Sequence, residues 1–284
     1  MAQERARRQL GRELLARLGR LPDSCSPIEV VAAAIGVLGV AADERARQTL
    51  ALSLLAKLPG VVAFDHRRRR GLGRLPSDPA LGLVENFLLM CFGVRPPAAI
   101  VRCLELSLIL SAVTDEPPPR LDCADPAAMI AALKGGRADG GAEAVMRMML
   151  EIGDPARAAG WLRAALTARR PVPGFAAGDD PSGDADLSLL KQAFRELAAL
   201  RQGRQWVEMA ETLERTMRDE TGRLPTPALF AAPACYLIGF DLPLLTPIGV
   251  ISRIPAWTAP QVARRHGDAP ARLPRFRSRA GGGN

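Results

Sequence analysis

The sequence predicts an all-α fold, and three observations support that prediction. Apolar residues recur at helical spacing in most segments, as at Leu187, Leu190 and Phe194. Aspartate or serine followed by proline precedes several of these segments, a pairing typical of helix N-termini. No stretch alternates apolar and polar residues well enough for a strand. With 284 residues, 48% of them hydrophobic, the chain can bury a large core in one or two domains.

The N-caps and the spacing of apolar residues predict where each helix begins and ends. Ser26, Pro27 and Glu29 form a capping box at the start of one helix, and Asp125 and Asp154, each followed by proline, cap two others. The pattern predicts helices at about 1–19, 27–38, 44–58, 81–92, 98–113, 126–133, 155–168, 187–202 and 205–219. Loops are expected at 59–79, which contains His66 and an arginine run, and at 174–186.

A glycine-rich turn at 135–141 runs directly into an amphipathic helix with Val145, Met148 and Met149 on one face. Paired glycines permit a close approach of the backbone, and a helix N-terminus offers free N–H groups at its positive end. The combination favours a site for a small anion or a carbonyl group. The alternative is a tight turn in which Asp139 is only the N-cap.

Composition and charge exclude several classes of protein. The net charge is +8, from 38 basic and 30 acidic residues, but no aromatic interleaving or zinc signature accompanies it, so we expect no nucleic-acid partner. We expect no membrane span, because the best apolar candidate, 224–251, is broken by prolines and Asp241. The N-terminus is rich in arginine and lacks the apolar core of a signal peptide.

Cysteine and aspartate usage predict a cytoplasmic protein without a metal site. The five cysteines are scattered and odd in number, which favours buried free thiols in a reducing cytosol. Four aspartates lie between 179 and 186, but their spacing does not fit a calcium-binding EF-hand loop. An exposed acidic loop is the interpretation we adopt.

Several segments, in a preserved order from about residue 22 to 277, resemble motifs of the citrate synthase family. The most distinctive is Glu85–Gly93, which is close to the family's Glu-Asn-Phe-Leu-x-Met-x-Phe-Gly. The turn before Val145 resembles its Leu-His-Gly-Gly-Ala-Asn motif. Further similarities lie at 26–31, 57–63, 108–115, 174–177, 238–240 and 253–257. The family's N-terminal segment is expected to be absent.

The resemblance implies a citrate synthase-like multi-helical fold with two domains. A large helical domain would hold 1–139 and 226–284, and a smaller lid domain would hold 140–225. It also implies a homodimer, or a heteromer with another citrate synthase-like subunit, with the helices of 81–113 as the interface. A core-facing position for those helices is the alternative.

The family reaction is a condensation of an acyl-CoA with an oxo acid, in which a carboxylate removes a proton and histidines polarise the carbonyls. At the matching positions most of these groups are changed. The family's two polarising histidines match Asp139 and Ala177, its base carboxylate matches Ala228, its substrate-binding histidine matches Ser111 or Thr114, and two arginines match Ser182 and Leu273. Arg253 and Arg275 persist. Neither of the chain's two histidines, His66 and His266, lies in a matching motif.

These substitutions predict, first, a non-catalytic structural, regulatory or partner subunit that requires no cofactor. The alternative is a divergent CoA-dependent acyltransferase or lyase that takes CoA or an acyl-CoA as substrate. In that alternative Asp139 is the catalytic base, and Arg253, Arg275 and Ser111 bind the substrate carboxylate. Gly174 and Phe175 are the candidate CoA-binding residues.

Overall fold

The computed structural model describes residues 5, 7–38, 44–112, 130, 131, 133, 141–176 and 187–263, with backbone alone at 44–51 and 256–263. Helices and connecting turns make up these residues, with one isolated bridge between Phe175 and Pro225. The helices are α1 (Arg12–Leu18), α2 (Pro27–Leu38), α3 (Glu44–Arg68), α4 (Leu83–Phe92), α5 (Ala98–Ala112), α6 (Gly141–Ile152), α7 (Pro155–Thr167), α8 (Ser188–Leu200), α9 (Arg204–Thr221), α10 (Ala228–Ile238) and α11 (Leu242–Ala263). The predicted all-α fold is confirmed.

The chain forms two compact units. Unit 1 comprises Met1–Val101, Glu116–Gly136 and Asp241–Ala271. Within it, α3 packs against α2, α4 and α11, and α1 packs against α2. Buried apolar side chains fill the centre of the unit, including Leu14, Leu18, Val30, Ala34 and Val61. These contacts explain why the apolar spacing of the first helices is so regular.

Unit 2 comprises Arg102–Asp115, Arg137–Phe240 and Arg272–Asn284. Here α10 packs against α6, α8 and α9, and α7 packs against α6 and α9. The core-facing side chains of α6 predicted from the sequence are buried, since Val145, Met148, Met149 and Ile152 are all at most 4% exposed. The predicted division into domains 1–139 with 226–284 and 140–225 stays a prediction.

Most predicted helices lie where expected, but α3 is longer than predicted. The predicted loop at 59–79 was wrong over its first ten residues, because α3 continues through Pro59 to Arg68. The side chains of Leu58, Val61 and Val62 are at most 2% exposed. Burial of this apolar face outweighs the loss of one backbone hydrogen bond at the proline. Most of the helix predicted at 126–133 lies outside the described residues.

The segment 224–251, which its prolines and Asp241 make unsuitable for crossing a membrane, is nevertheless helical over most of its length. α10 contains Pro233, and α11 begins directly after Asp241. Across the described residues, no helix combines the length and the apolar character that crossing a membrane requires.

Candidate functional site

The turn at Gly174–Ala176 is held by backbone hydrogen bonds to the segment that precedes α10. The amide of Ala176 donates to the carbonyl of Leu224 at 3.0 Å, and the amide of Thr226 donates to the carbonyl of Gly174 at 2.9 Å. Gly174 has a φ of +89°, which a residue with a side chain rarely adopts. A Cβ atom at this position would lie 3.0 Å from Cγ2 of Val145. The turn therefore requires glycine for both its dihedral and its packing.

Phe175, the second residue of this turn, lies in the core of unit 2. Its side chain is fully buried. In the structure the ring anchors the turn, and the backbone of Phe175 pairs with Pro225. The roles of Gly174 and Phe175 in binding CoA stay predictions.

Arg223 holds the same turn and was missed by the sequence analysis. Its Nε donates to the carbonyl of Ala176 at 2.7 Å, and its Nη2 donates to the carbonyl of Phe175 at 3.4 Å. It follows Gly222, whose φ of +71° ends α9. In the sequence Arg223 lies between Gly222, which caps the C-terminus of α9, and Pro225 and Pro227, which precede α10. This position at a helix end is the local feature that could have indicated a structural role for Arg223.

Ala228 is the first residue of α10 and is 8% exposed. This is the position that the sequence motifs match to the family's base carboxylate, and that match stays a prediction. Ser111 is half-buried in the last turn of α5, in unit 2 like Ala228. Neither residue supplies a group that can take up a proton at neutral pH.

Arg253 lies on α11 in unit 1 and is 5% exposed. Its Nε donates to the carbonyl of Gly249 at 3.0 Å. Its Nη2 donates to the carbonyl of Leu133 at 3.3 Å, across 120 residues of sequence. The guanidinium thus ties α11 to the segment that leads toward the glycine-rich turn.

The other predicted site residues, Asp139 and Arg275, lie outside the described residues. The same holds for the motif positions at 114, 177, 182 and 273. Of the predicted site residues, the structure describes Arg253, Ser111, Gly174 and Phe175, and their roles stay predictions. Among the side chains that are described, no three of the types His, Cys, Asp or Glu are grouped so that they could hold a metal ion.

His66, which the matching motifs do not use, lies in a separate charged cluster in unit 1. It is 1% exposed, and its Nδ1 lies 2.6 Å from Nη1 of Arg70. Burial, followed by the charge of Arg70, lowers the pKa of His66 from 6.5 to about 4. At neutral pH the ring is therefore neutral and accepts a hydrogen bond from Arg70.

Three comparisons with known proteins agree on the kind of protein this chain resembles. The family model "Citrate synthase, C-terminal domain" matches residues 1–113 and 124–277. A 2-methylcitrate synthase of Mycobacterium tuberculosis is 40% identical over 273 residues, which are 90% of this chain and 69% of that protein. A citrate synthase of Mycolicibacterium smegmatis is 38% identical over 90% of this chain and 73% of that protein.

Solved structures of citrate synthases have the same fold. The enzyme from Pyrobaculum aerophilum superposes with a TM-score of 0.76 at 25% identity, covering 100% of this chain and 78% of that one. The enzyme from Thermoplasma acidophilum, in its ternary complex with carboxymethyl coenzyme A and oxaloacetate, gives a TM-score of 0.78 at 18% identity. It covers 98% of this chain and 81% of that one.

Proposed function

This chain belongs to the citrate synthase family, and from that premise we propose that it is an acyl-CoA-dependent transferase or lyase. It would form or cleave a carbon–carbon bond between an acyl-CoA and a carboxylate substrate. The observation that carries the proposal is the identity of 40%, over 90% of the chain, to a protein named 2-methylcitrate synthase. A likeness of that extent favours retained use of an acyl-CoA.

The prediction of a non-catalytic subunit was wrong. Relatives that match 90% of the chain at 38–40% identity are named as synthases. The prediction depended on the absence of the family's histidines from the matching motifs. Histidine is only one of the groups that can polarise a carbonyl group. Backbone N–H groups and guanidinium groups can do the same work when they are fixed in place.

In the proposed reaction Asp139 is the base. Its carboxylate would take the proton from the carbon next to the thioester carbonyl, and the electron pair of that C–H bond would form the bond to the substrate carbonyl carbon. The π pair of the substrate C=O bond would move to its oxygen, which would then take the proton back from Asp139. The developing negative charge on the thioester oxygen would face the N-terminal end of α6, which begins at Gly141. Arg253, Arg275 and Ser111 would hold the substrate carboxylates, and Gly174 and Phe175 would border the CoA.

The proposal is tested by calorimetric titration with CoA, acetyl-CoA and oxaloacetate, followed by an activity assay on Asp139→Asn. We expect binding of at least one CoA species, and a loss of turnover by a factor of about 100 or more in Asp139→Asn with an unchanged melting temperature. The control is Asp154→Asn. Asp154 caps α7, where its side chain accepts from the amide of Ala156 at 2.9 Å.

Two results would count against this proposal. Failure of the wild-type protein to bind any of the three compounds would overturn acyl-CoA dependence itself. Turnover that survives in Asp139→Asn would remove Asp139 from the mechanism and leave the acyl-CoA dependence in place. Asp154→Asn should lower the melting temperature without changing turnover per folded molecule.

A homodimer formed through α4 and α5 is part of the same proposal. The exposed residues of α5 include Arg102 and Glu105 as well as Ile109, which is 59% exposed, and Val94 just after α4 is 67% exposed. Large apolar side chains that are this exposed favour a protein–protein contact when a partner covers them. A cytoplasmic location is proposed with it. The cysteines whose side chains are described are all free thiols, as expected in a reducing compartment.

A further inference from the structure

Arg223 differs from the other arginines of unit 2 in its exposure. Every other arginine whose side chain is described in that unit is exposed, whereas Arg223 is half-buried. Six of the exposed ones form ion pairs with glutamates, namely Arg147, Arg163, Arg170, Arg195, Arg204 and Arg218. The hydrogen bonds of Arg223 go instead to the backbone carbonyls of Phe175 and Ala176. The partners that position the guanidinium of Arg223 are therefore uncharged backbone carbonyls.

The guanidinium of Arg223 carries a positive charge that its neutral hydrogen-bond partners do not cancel. Carbonyl dipoles orient that charge and leave it available to an anion. Partial burial lowers the local dielectric constant, so that the charge acts on a nearby anion more strongly than in water. Two of the guanidinium's N–H donors are used by the turn, and the remaining ones can meet a carboxylate.

The turn that holds the guanidinium is hydrogen-bonded to the segment before α10, and its last described residue adjoins a motif position. Ala176, which accepts from Nε, directly precedes residue 177, which matches the family's histidine for the oxo acid. Ala228, five residues beyond Arg223, has replaced a carboxylate that would have added a negative charge to the same segment. The backbone bonds of Gly174 and Ala176 and the tight packing at Gly174 fix the turn before any ligand arrives.

We propose that Arg223 is a substrate-binding residue that offers its guanidinium to a carboxylate of the oxo acid. Arg223 lies in the segment before α10. From there it would supply the positive charge that is missing at Ala177 and Ser182, which match a histidine and an arginine of the family. The proposal rests on the proposed function, since it assumes an anionic second substrate.

The test compares Arg223→Gln, Arg223→Lys and wild type in calorimetric titrations with oxaloacetate and, separately, with CoA. Glutamine has an N–H donor at the position of Nε, within reach of the carbonyl of Ala176, and it removes the charge together with the longer bond to the carbonyl of Phe175. We expect Arg223→Gln to weaken oxaloacetate binding about 10- to 100-fold, Arg223→Lys to recover part of that loss, and CoA binding to change less than about twofold. The matched control is Arg163→Gln, which removes an exposed charge paired with Glu220 in the same unit and should leave both affinities unchanged.

The outcomes separate this inference from the proposed function. If the wild type binds oxaloacetate and Arg223→Gln binds it equally well, the role of Arg223 is overturned and the proposed function stands. If Arg223→Gln loses oxaloacetate and CoA binding together with a lowered melting temperature, and Arg223→Lys does the same, Arg223 only supports the turn and the inference is again overturned. A wild type that binds neither compound would overturn both proposals.

Discussion

At the scale of single residues, the most unusual group in unit 1 is the cluster around His66. Asp65, which is 1% exposed, accepts hydrogen bonds from Arg68 at 3.1 Å and from Arg69 at 2.6 Å. Arg70 pairs with Asp241 at 2.8 Å, and Phe92 meets the His66 ring edge-on at 5.3 Å between ring centroids. Because Nη1 of Arg70 lies 2.6 Å from Nδ1 of His66, a proton added to the ring would place a second positive charge beside the guanidinium.

Protonation of His66 should therefore oppose folding. The pKa of His66 is lowered from 6.5 to about 4, mainly by burial and then by Arg70, while Asp241 and Asp65 act in the opposite direction. The unfolded chain thus binds this proton more readily than the folded chain, and stability is lost as the pH falls from about 6.5 to about 4. We expect the free energy of unfolding to drop by about 2 kcal/mol from this group between pH 7.5 and pH 5.

Urea unfolding at the two pH values measures this effect, with His66→Gln as the matched variant. Glutamine does not titrate, so its change in stability between pH 7.5 and pH 5 should be smaller than that of the wild type by about 2 kcal/mol. Equal pH dependence in the two proteins would contradict the lowered pKa of His66.

At the scale of secondary structure elements, α2 shows how a local signal becomes a hydrogen-bonded cap. The capping box predicted at Ser26 is present, since the Ser26 amide donates to the Glu29 carboxylate at 2.6 Å. The hydroxyl of Ser26 donates to the same carboxylate oxygen at 2.9 Å. The Glu29 carboxylate thus accepts two hydrogen bonds from Ser26, one from its amide and one from its hydroxyl.

Because Ser26 and Glu29 are hydrogen-bonded to each other, the losses of stability on replacing them should not be additive. Glu29→Ala and Ser26→Ala should each lower the free energy of unfolding by about 1 kcal/mol, and the double variant should lose less than their sum. Chemical denaturation measures all three. Ser24→Ala, an exposed change just before the cap, should stay within about 0.5 kcal/mol of the wild type. A double variant whose loss equals the sum would show that the two side chains act independently.

At the scale of the whole molecule, α5 begins in unit 1 and continues in unit 2, since the division falls after Val101. Its buried side includes Cys103, Leu104 and Ser107, whereas Ile109 is exposed. The exposed side of α5 also carries Arg102 and Glu105, so Ile109 is the large apolar side chain that this side offers to a partner. Its exposure is the structural support for the proposed homodimer.

Ile109→Asp should weaken that dimer at least about tenfold, because a charge would have to be desolvated at the centre of an apolar contact. Light scattering coupled to size-exclusion chromatography over a range of protein concentrations measures the change. The control is Leu189→Asp on α8, where a leucine is similarly exposed at 50%. A wild-type protein that is monomeric at every concentration, or an Ile109→Asp variant that stays dimeric, would exclude α5 as the interface.

Sequence by itself determined the fold class, most of the helix positions and the family. These properties are encoded locally. Apolar spacing identifies the face of a helix that will be buried, as it did for Val145 and Met149, and a capping residue such as Asp154 marks where a helix starts. The order of the motifs identifies the family, because each motif is a run of consecutive residues that can be recognised without the structure.

Only the tertiary structure decided which distant segments meet. Apolar periodicity cannot say which element will cover a buried face, so the sequence predicts a helix end before Pro59, although packing carries α3 past it. Arg223 and Arg253 were two arginines among many in the sequence, and they became distinct when the carbonyls of Ala176 and Leu133 were brought to them. A hydrogen bond across 47 or 120 residues depends on how whole elements pack, and that information is not contained in any short stretch of sequence.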